Sequence, residues 1–188
     1  MTELTSSSMT ELTSSSMTSS MTEENEPRPS FRINNRTYIS AGVLFYTVHD
    51  NGTIYFMLQK IKGRPWQYED FGGKSQLGDH SIKDVAFREC IEELNGLITK
   101  EFLLSRPCTE YLVPGNKYIA YLIHLDPSFM SNDLSVYGDR ELLWDIERTV
   151  QWITYADLWN MHQTMIHPRL QPDFKQWLPL LLVEADIF

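Results

Sequence analysis

Three glutamates, Glu89, Glu92 and Glu93, stand at positions i, i+3 and i+4 of a stretch with helical periodicity. On a helix their carboxylates share one side, where each exposed pair of like charges costs roughly 0.2–0.5 kcal/mol. Arg88 can neutralise Glu92 through an i, i+4 pair, but it cannot cover all three. Two interpretations are open: a solvated helix face, or a site for Mg²⁺ or Mn²⁺, since carboxylate oxygens are hard ligands.

A glycine pair and a lysine precede this stretch. We expect Gly72 and Gly73 to lie in a loop, because glycine lets the backbone turn tightly and approach a ligand closely. Lys74 can meet a phosphate oxygen as a point charge. A glycine loop that leads into a helix N-terminus is a natural anion site. The stretch therefore predicts a place where a metal ion and a phosphate meet.

The glutamates need a helix to position them. We expect it to begin after Ser81, a good N-cap, and to end at Asn95 and Gly96, which tolerate left-handed backbone. Its apolar side comprises Val85, Ala86, Cys90, Ile91 and Leu94.

Strands are predicted around this helix. Runs rich in aromatic and β-branched residues lie at 38–48, 53–59, 108–113, 116–125 and 149–154. The Asn51-Gly52 pair predicts a hairpin turn. Helical patterns follow at 155–163 and 172–185. Because strands and helices interleave, we expect a layered α/β fold with a mixed sheet.

Composition predicts one folded domain at residues 28–188, behind a low-complexity tail at 1–27 that contains MTELTSSS twice. The net charge is −9, and five glutamates of the tail account for much of it, so the domain is only mildly acidic. This argues against a broad basic surface for nucleic acid and leaves room for a local basic groove. Two cysteines do not make a disulfide framework, and no apolar stretch is long enough for a signal peptide or membrane span. We therefore expect an intracellular, cytoplasmic protein.

The stretch from Gly73 resembles the Nudix box, G-x5-E-x7-R-E-U-x-E-E-x-G-U with U apolar. Gly73 matches the first glycine, Arg88-Glu89 matches R-E, Cys90 stands at U, and Glu92-Glu93 matches E-E. The resemblance covers about residues 35–185: "AGVLFY" is similar to the first core strand of the family, and "PWQYEDFGGK" to its Trp-x-x-Pro-Gly-Gly approach, with Phe71 in place of proline. "EELNG" and "GGKSQLGDHS" are also similar to Nudix proteins of large DNA viruses.

Two positions depart from the box. Counting forward from Gly73 puts the first acid at Asp79, whereas counting back from Arg88 puts it at His80. We expect Asp79 to take this place and to pair with Arg88. Asn95 stands where the pattern has glycine.

The resemblance implies an α/β/α sandwich with a mixed sheet and metal-dependent hydrolysis of a nucleoside diphosphate linked to another group. It implies Mg²⁺ or Mn²⁺ held by Gly72, Glu89, Glu92 and Glu93. The implied catalytic residues are Glu92, Arg88 and a late acid, for which we choose Glu147 over Asp139, Glu141 and Asp145. Lys74, Arg64 and Trp66 are the expected substrate-binding residues.

Several alternatives stay open. The partner is a phosphorylated small molecule of nucleotide type or a capped RNA end, so mRNA decapping is the second candidate activity. A catalytically silent binding module of the same fold is the third. Trp66 and Tyr68 either stack a nucleobase or fill a corner of the core. Lys60, Lys62 and Arg64 form either a phosphate groove or a solvated strand end.

Overall fold

The computed structural model describes residues 27–65, 68–113 and 115–170. Apart from Pro27, the predicted tail lies outside these ranges, as do Trp66 and the predicted helix at 172–185. None of the helices in the described ranges has the length and apolarity needed to cross a membrane.

The described residues form ten strands and three α-helices. The strands are β1 (Phe31–Ile33), β2 (Arg36–Tyr38), β3 (Ser40–Val48), β4 (Ile54–Ile61), β5 (Tyr68–Glu69), β6 (Phe71–Lys74), β7 (Cys108–Leu112), β8 (Tyr118–His124), β9 (Arg140–Glu141) and β10 (Ile146–Thr154). The helices are α1 (Ile82–Glu93), α2 (Lys100–Leu104) and α3 (Tyr155–Asn160). Short 3₁₀ turns lie at Pro127–Ser131, Leu134–Tyr137 and Gln163–Met165. Helix α2 and the β1–β2 hairpin are not among the predicted elements, because both are too short to show a period.

Eight strands form one mixed sheet. Its main path runs β7-β8-β3-β4-β10-β9, with β5 beside β4 and β6 beside β3. Strands β3 and β8 are parallel, and the other neighbours are antiparallel. The β1–β2 hairpin is separate from this sheet. The predicted mixed sheet is confirmed.

Apolar side chains cover both faces of the sheet. On one face, Val85, Cys90 and Leu94 of the α1 segment pack against the sheet residues. On the other face, Leu158 of α3 and Leu170 join a second buried cluster. The sheet is therefore sandwiched between two layers, as the predicted α/β/α architecture requires.

The glycine pair lies in strand β6, and the predicted loop is wrong at this point. Gly72 pairs with Gly42 and Gly73 pairs with Ala41 across the β3–β6 ladder. A Cβ on Gly42 would come 2.8 Å from the Cα of Gly72, so the two backbones touch. Glycine is required here for close approach of two main chains, with no positive φ at either residue of the pair.

Candidate active site

Helix α1 presents its glutamates toward the sheet. It begins as predicted, because the Ser81 side chain accepts a hydrogen bond from the Asp84 amide. The apolar side of the helix packs on the core, which places Glu89 and Glu93, one turn apart, at the edge of that contact with only 9% exposure each. Glu92 is more open. A solvated helix face is therefore excluded for two of the three glutamates.

The Glu89 carboxylate rests on the backbone of the glycine strand. A Cβ on Gly73 would lie 2.5 Å from Glu89 Cδ, too close for any real side chain. Glycine at this position creates the space that the carboxylate occupies. The glycine strand and the glutamate helix therefore form one structural unit.

Arg88 is surrounded by acceptors. Its Nε and Nη2 donate to the Asp79 carboxylate at 3.0 and 3.1 Å, and Nη1 donates to Glu89 at 2.9 Å and Glu92 at 3.0 Å. Nη2 also donates to the Lys74 carbonyl at 2.9 Å. Burial opposes the charge, but the three carboxylates outweigh it and raise the pKa of Arg88. The predicted Asp79–Arg88 pair is confirmed, and it ties the segment after β6 to α1.

Two further acids approach the helix. Glu69 of β5 and Glu141 of β9 are 5% and 3% exposed. Both raise the pKa of Glu93, and Glu89 and Glu92 raise that of Glu141, so we call these five residues the carboxylate cluster. Burial raises the pKa of Glu141, and Glu89, Glu92 and Glu69 raise it further against the opposing charge of Arg148. Burial also raises the pKa of Glu89. Burial raises the pKa of Glu93 well above its usual value. The charge of Arg169 opposes this shift, and the charge of Glu69 adds to it.

One carboxylate oxygen of the cluster lacks a partner. Glu93 Oε2 is buried and has no hydrogen bond within the described chain. The buried Arg148 guanidinium donates to the backbone carbonyls of Glu93 and Tyr137, while its Nε and Nη1 have no partner among the described residues. An orphaned buried acceptor is costly unless something fills the site.

The donor set fits a hard divalent cation. It offers carboxylate oxygens, an orphaned Glu93 oxygen and the close-packed backbone of Gly72–Gly73. Within the described ranges, no three Asp, Glu, His or Cys side chains already converge as a metal cage. Arg88 Nη1 donates to one oxygen of Glu89 and one oxygen of Glu92. The residues fit the ion chemically, and side-chain rotation would be needed to assemble the ligands.

An arginine whose side chain is 12% exposed, Arg169, anchors the strand segment before the glycines. Arg169 Nε lies 2.6 Å from the Asp70 carboxylate, and Nη2 donates to the Asp70 carbonyl at 2.9 Å. Tyr118 donates to the other Asp70 oxygen at 2.5 Å, and its ring lies 5.0 Å below the Arg169 guanidinium. Asp70 is fully buried, so these bonds compensate its charge. The anchor precedes Phe71 directly and fixes the entry to β6.

The predicted site residues divide into two groups. Arg88 pairs with Glu89 and Glu92, Glu93 lies one turn from Glu89 on α1, and Gly72 precedes the Gly73 on which Glu89 packs. Arg64 lies 3.9 Å from Glu69 of the cluster. Lys74 is exposed at the end of β6, and Trp66 lies outside the described residues. Tyr68 is buried in the core face opposite α1, under Lys60.

Glu147 has different surroundings from the carboxylate cluster. It is half-exposed and pairs with Lys62 at 2.6 Å and with Arg140 at 3.2 Å. The hydrogen bond from Lys62 lowers its pKa. Side chains alternate along a strand, so Arg148 faces the cluster and Glu147 faces away. Glu141 is buried on the side of the carboxylate cluster and Glu147 is not, and the alternation of β10 is the sequence signal that separates Glu147 from the cluster.

The loop register gives a first testable prediction. Asp79→Ala should reduce metal affinity or metal-dependent activity by roughly 10–100-fold, because Arg88 loses a two-bond partner that orients the site. Asp79 Oδ2 also accepts from the Gln76 amide at 2.7 Å, so the loop itself loosens. His80→Ala is the matched control, since His80 is exposed. Both variants are to be assayed across Mg²⁺ concentrations, and damage from His80→Ala with a silent Asp79→Ala would refute the assignment.

Neither a family sequence model nor a curated protein matches the chain. Solved structures do resemble it. A MutT/Nudix family protein from Listeria innocua is 16% identical over 79% of this chain and 96% of its own, with a TM-score of 0.51. NrtR from Shewanella oneidensis is 14% identical over 79% of this chain and 65% of its own, with a TM-score of 0.52. The similarity to viral proteins stays a prediction. The chain has the fold of the Nudix family, and in it the residues that resemble the Nudix box form a glycine strand and a glutamate helix that pack against each other.

Proposed function

We propose that this protein is a divalent-metal-dependent pyrophosphohydrolase that cleaves a nucleoside diphosphate linked to another group. The observation that carries the proposal is the carboxylate cluster, in which the buried Glu93 keeps an unpartnered oxygen. Packing of Glu89 on Gly73 adds support, because it joins the cluster to the glycine strand. A fold alone does not set chemistry, so the proposal rests on these side chains.

The acidity of the site restricts its ligand. Burial and mutual repulsion raise the pKa values of Glu89, Glu93 and Glu141, so the metal-free cluster holds its negative charge poorly. A cation relieves that repulsion. Carboxylates without a metal ion would repel a negatively charged phosphate. A bound cation attracts it. Diphosphates that carry their own metal ion match both conditions.

Glu89, Glu92 and Glu93, with the Gly72 carbonyl, are the groups that would hold Mg²⁺ or Mn²⁺. When bound, such an ion acidifies water and neutralises charge on the phosphates. Arg88 takes no part in the chemistry in this scheme. It keeps Asp79, the Lys74 carbonyl and α1 in fixed relation.

The chain itself supplies a proton acceptor. Water attacks a phosphorus of the diphosphate, its oxygen bonds to phosphorus, its proton passes to a carboxylate, and the bond to the leaving phosphate breaks. Glu141 is the preferred acceptor, because burial raises its pKa toward the range where a general base works near neutral pH. Glu92 is the second candidate. Lys74 and Arg64 would neutralise outer phosphate oxygens.

A substrate panel tests the proposal. Nucleoside triphosphates, dinucleoside polyphosphates, diphosphoinositol polyphosphates and capped RNA are each incubated with Mg²⁺ and with Mn²⁺, and the products are identified. We expect metal-dependent cleavage of a phosphoanhydride bond in at least one nucleotide substrate. Release of the cap alone would move the assignment to decapping, and no cleavage in any combination would refute the hydrolase.

One observation favours a silent binding module as the second candidate. Arg88 holds Glu89 and Glu92 through hydrogen bonds, so the carboxylates are not preassembled around an ion. A binding module could keep this arrangement permanently. An enzyme must release at least one of these carboxylates to the metal.

A further inference from the structure

Asn95 makes three hydrogen bonds with its side chain. Its Nδ2 donates to the backbone carbonyls of Tyr137 and Arg140, both at 2.9 Å, and its Oδ1 accepts from the Leu142 amide at 3.0 Å. Each partner lies more than 40 positions away in the chain. Both ends of this amide are thereby satisfied by main-chain groups of one segment.

These bonds bracket Glu141. The Arg140 carbonyl and the Leu142 amide are the main-chain groups immediately before and after it. Asn95 itself follows Glu93 by two residues, just past the end of α1. One amide therefore ties the helix that carries Glu93 to the strand that carries Glu141.

Other contacts of this segment run to β10 and to the turn before it: the Arg148 amide donates to the Asp139 carbonyl at 2.9 Å, and Arg140 donates to Asp145 and Glu147. Among these bonds, those of Asn95 are the ones that reach the α1 segment. Strand β9 is two residues long and pairs with β10 through two residue pairs. The turn beyond it is exposed: Leu142, Leu143 and Trp144 are 74%, 57% and 57% exposed. A turn with so little apolar packing depends on its polar contacts for its orientation.

The backbone at Asn95 would accept glycine, and only the side chain distinguishes the two residues. The φ of Asn95 is +55°, in the left-handed region, where glycine is the natural residue and asparagine is tolerated. The box pattern has glycine in this slot, and glycine would end the helix equally well. Glycine has no side-chain amide, so it could not make the three hydrogen bonds to residues 137–142.

We propose that Asn95 is a positioning residue that holds Glu141 in the carboxylate cluster. The asparagine replaces a helix-ending glycine with a residue that ends the helix and clamps the late acid. This inference rests on the proposed function, because it assigns Glu141 a place in metal-dependent catalysis. The clamp itself is a property of the metal-free chain and can be measured without turnover.

Asn95→Gly is the decisive variant. It keeps the left-handed backbone and the helix end while it removes all three hydrogen bonds. Asn95→Asp is the second variant: it retains the acceptor for Leu142 but turns a carboxylate toward two carbonyls. The matched control is Asn35→Gly, since Asn35 also has a positive φ, of +61°, and is exposed in the separate β1–β2 turn.

Three measurements are made on each variant: hydrogen exchange of the Leu142 amide, Mn²⁺ affinity, and kcat and KM on the best substrate. For Asn95→Gly we expect faster Leu142 exchange and a loss of roughly 10–100-fold in kcat or Mn²⁺ affinity, with KM less affected. Asn95→Asp should show a similar loss, and Asn35→Gly should match the wild type in all three.

The outcomes separate the inference from the proposed function. If the wild type is active and Asn95→Gly keeps both kcat and Mn²⁺ affinity within about twofold, the positioning role is overturned. Unchanged exchange at Leu142 overturns the clamp. If the wild type hydrolyses nothing, the proposed function fails, and faster exchange of the Leu142 amide in Asn95→Gly than in the wild type still supports the clamp on the Glu141 segment.

Discussion

Replacing Glu93 with glutamine should abolish metal-dependent turnover and leave the fold intact. The substitution removes a charged hard ligand, while size and helix propensity change little. Glu93 is the residue whose loss matters most, because it is buried and carries the unpartnered oxygen of the cluster. The measurement is kcat/KM at saturating Mg²⁺ and Mn²⁺, with circular dichroism to verify the fold.

Stability provides an independent readout for the same variant. Burial raises the pKa of Glu93 above its ordinary value of 4.5, so the folded metal-free protein binds this proton more tightly than the unfolded chain does. The associated stability is present below pH 4.5 and is lost as pH rises through the raised pKa. As the pH is raised from 5 to 8 in EDTA, the free energy of unfolding should therefore fall less for Glu93→Gln than for the wild type.

The control for this variant is Glu101→Gln, an exposed glutamate on α2. It should keep both turnover and the pH dependence of unfolding. Near-wild-type activity of Glu93→Gln at saturating metal would show that α1 is not the metal site.

Glu141→Gln should reduce kcat by roughly 10²–10⁴-fold, the usual contribution of a positioned proton acceptor. The variant keeps the shape of the buried side chain and removes its basicity. Burial raises the pKa of Glu141, so its contribution should appear as a shift in the acidic limb of the pH–rate profile.

Glu147→Gln is the matched control for that experiment. Glu147 lies six residues further along the chain and forms surface pairs with Lys62 and Arg140. Such exposed pairs contribute little, so activity should change less than about twofold. A damaging Glu147→Gln beside a silent Glu141→Gln would restore Glu147 as the late acid.

The sequence predicts most of the sheet because its strands are long and apolar. Strands β3, β4, β8 and β10 coincide with predicted runs to within a few residues. Helix α1 is equally predictable, since Ser81 and Asn95 mark its two ends. The short elements β5, β6 and β9 are set by pairing with neighbours, and pairing is not visible in a local pattern.

The site is predictable where chemistry and spacing coincide. Glu89, Glu92, Glu93 and the Asp79–Arg88 pair follow from the box pattern. Glu69 and Arg169 could not be identified in this way, because their roles arise from contacts between distant segments. Glu141 and Glu147 differ in which face of the sheet edge they occupy, and composition alone does not rank them.

A calorimetric Mn²⁺ titration tests the central claim that the carboxylate cluster is a metal site. It is performed on the wild type and on Glu93→Gln, across a range of pH. We expect saturable binding to the wild type that becomes tighter as the pH rises, because burial raises the pKa of Glu89 and of Glu93 and a metal ion binds the deprotonated carboxylates. Glu93→Gln should bind at least tenfold more weakly, an estimate from the usual cost of disturbing a metal site. A wild type that binds no Mn²⁺, or a variant that binds it equally well, would contradict the account.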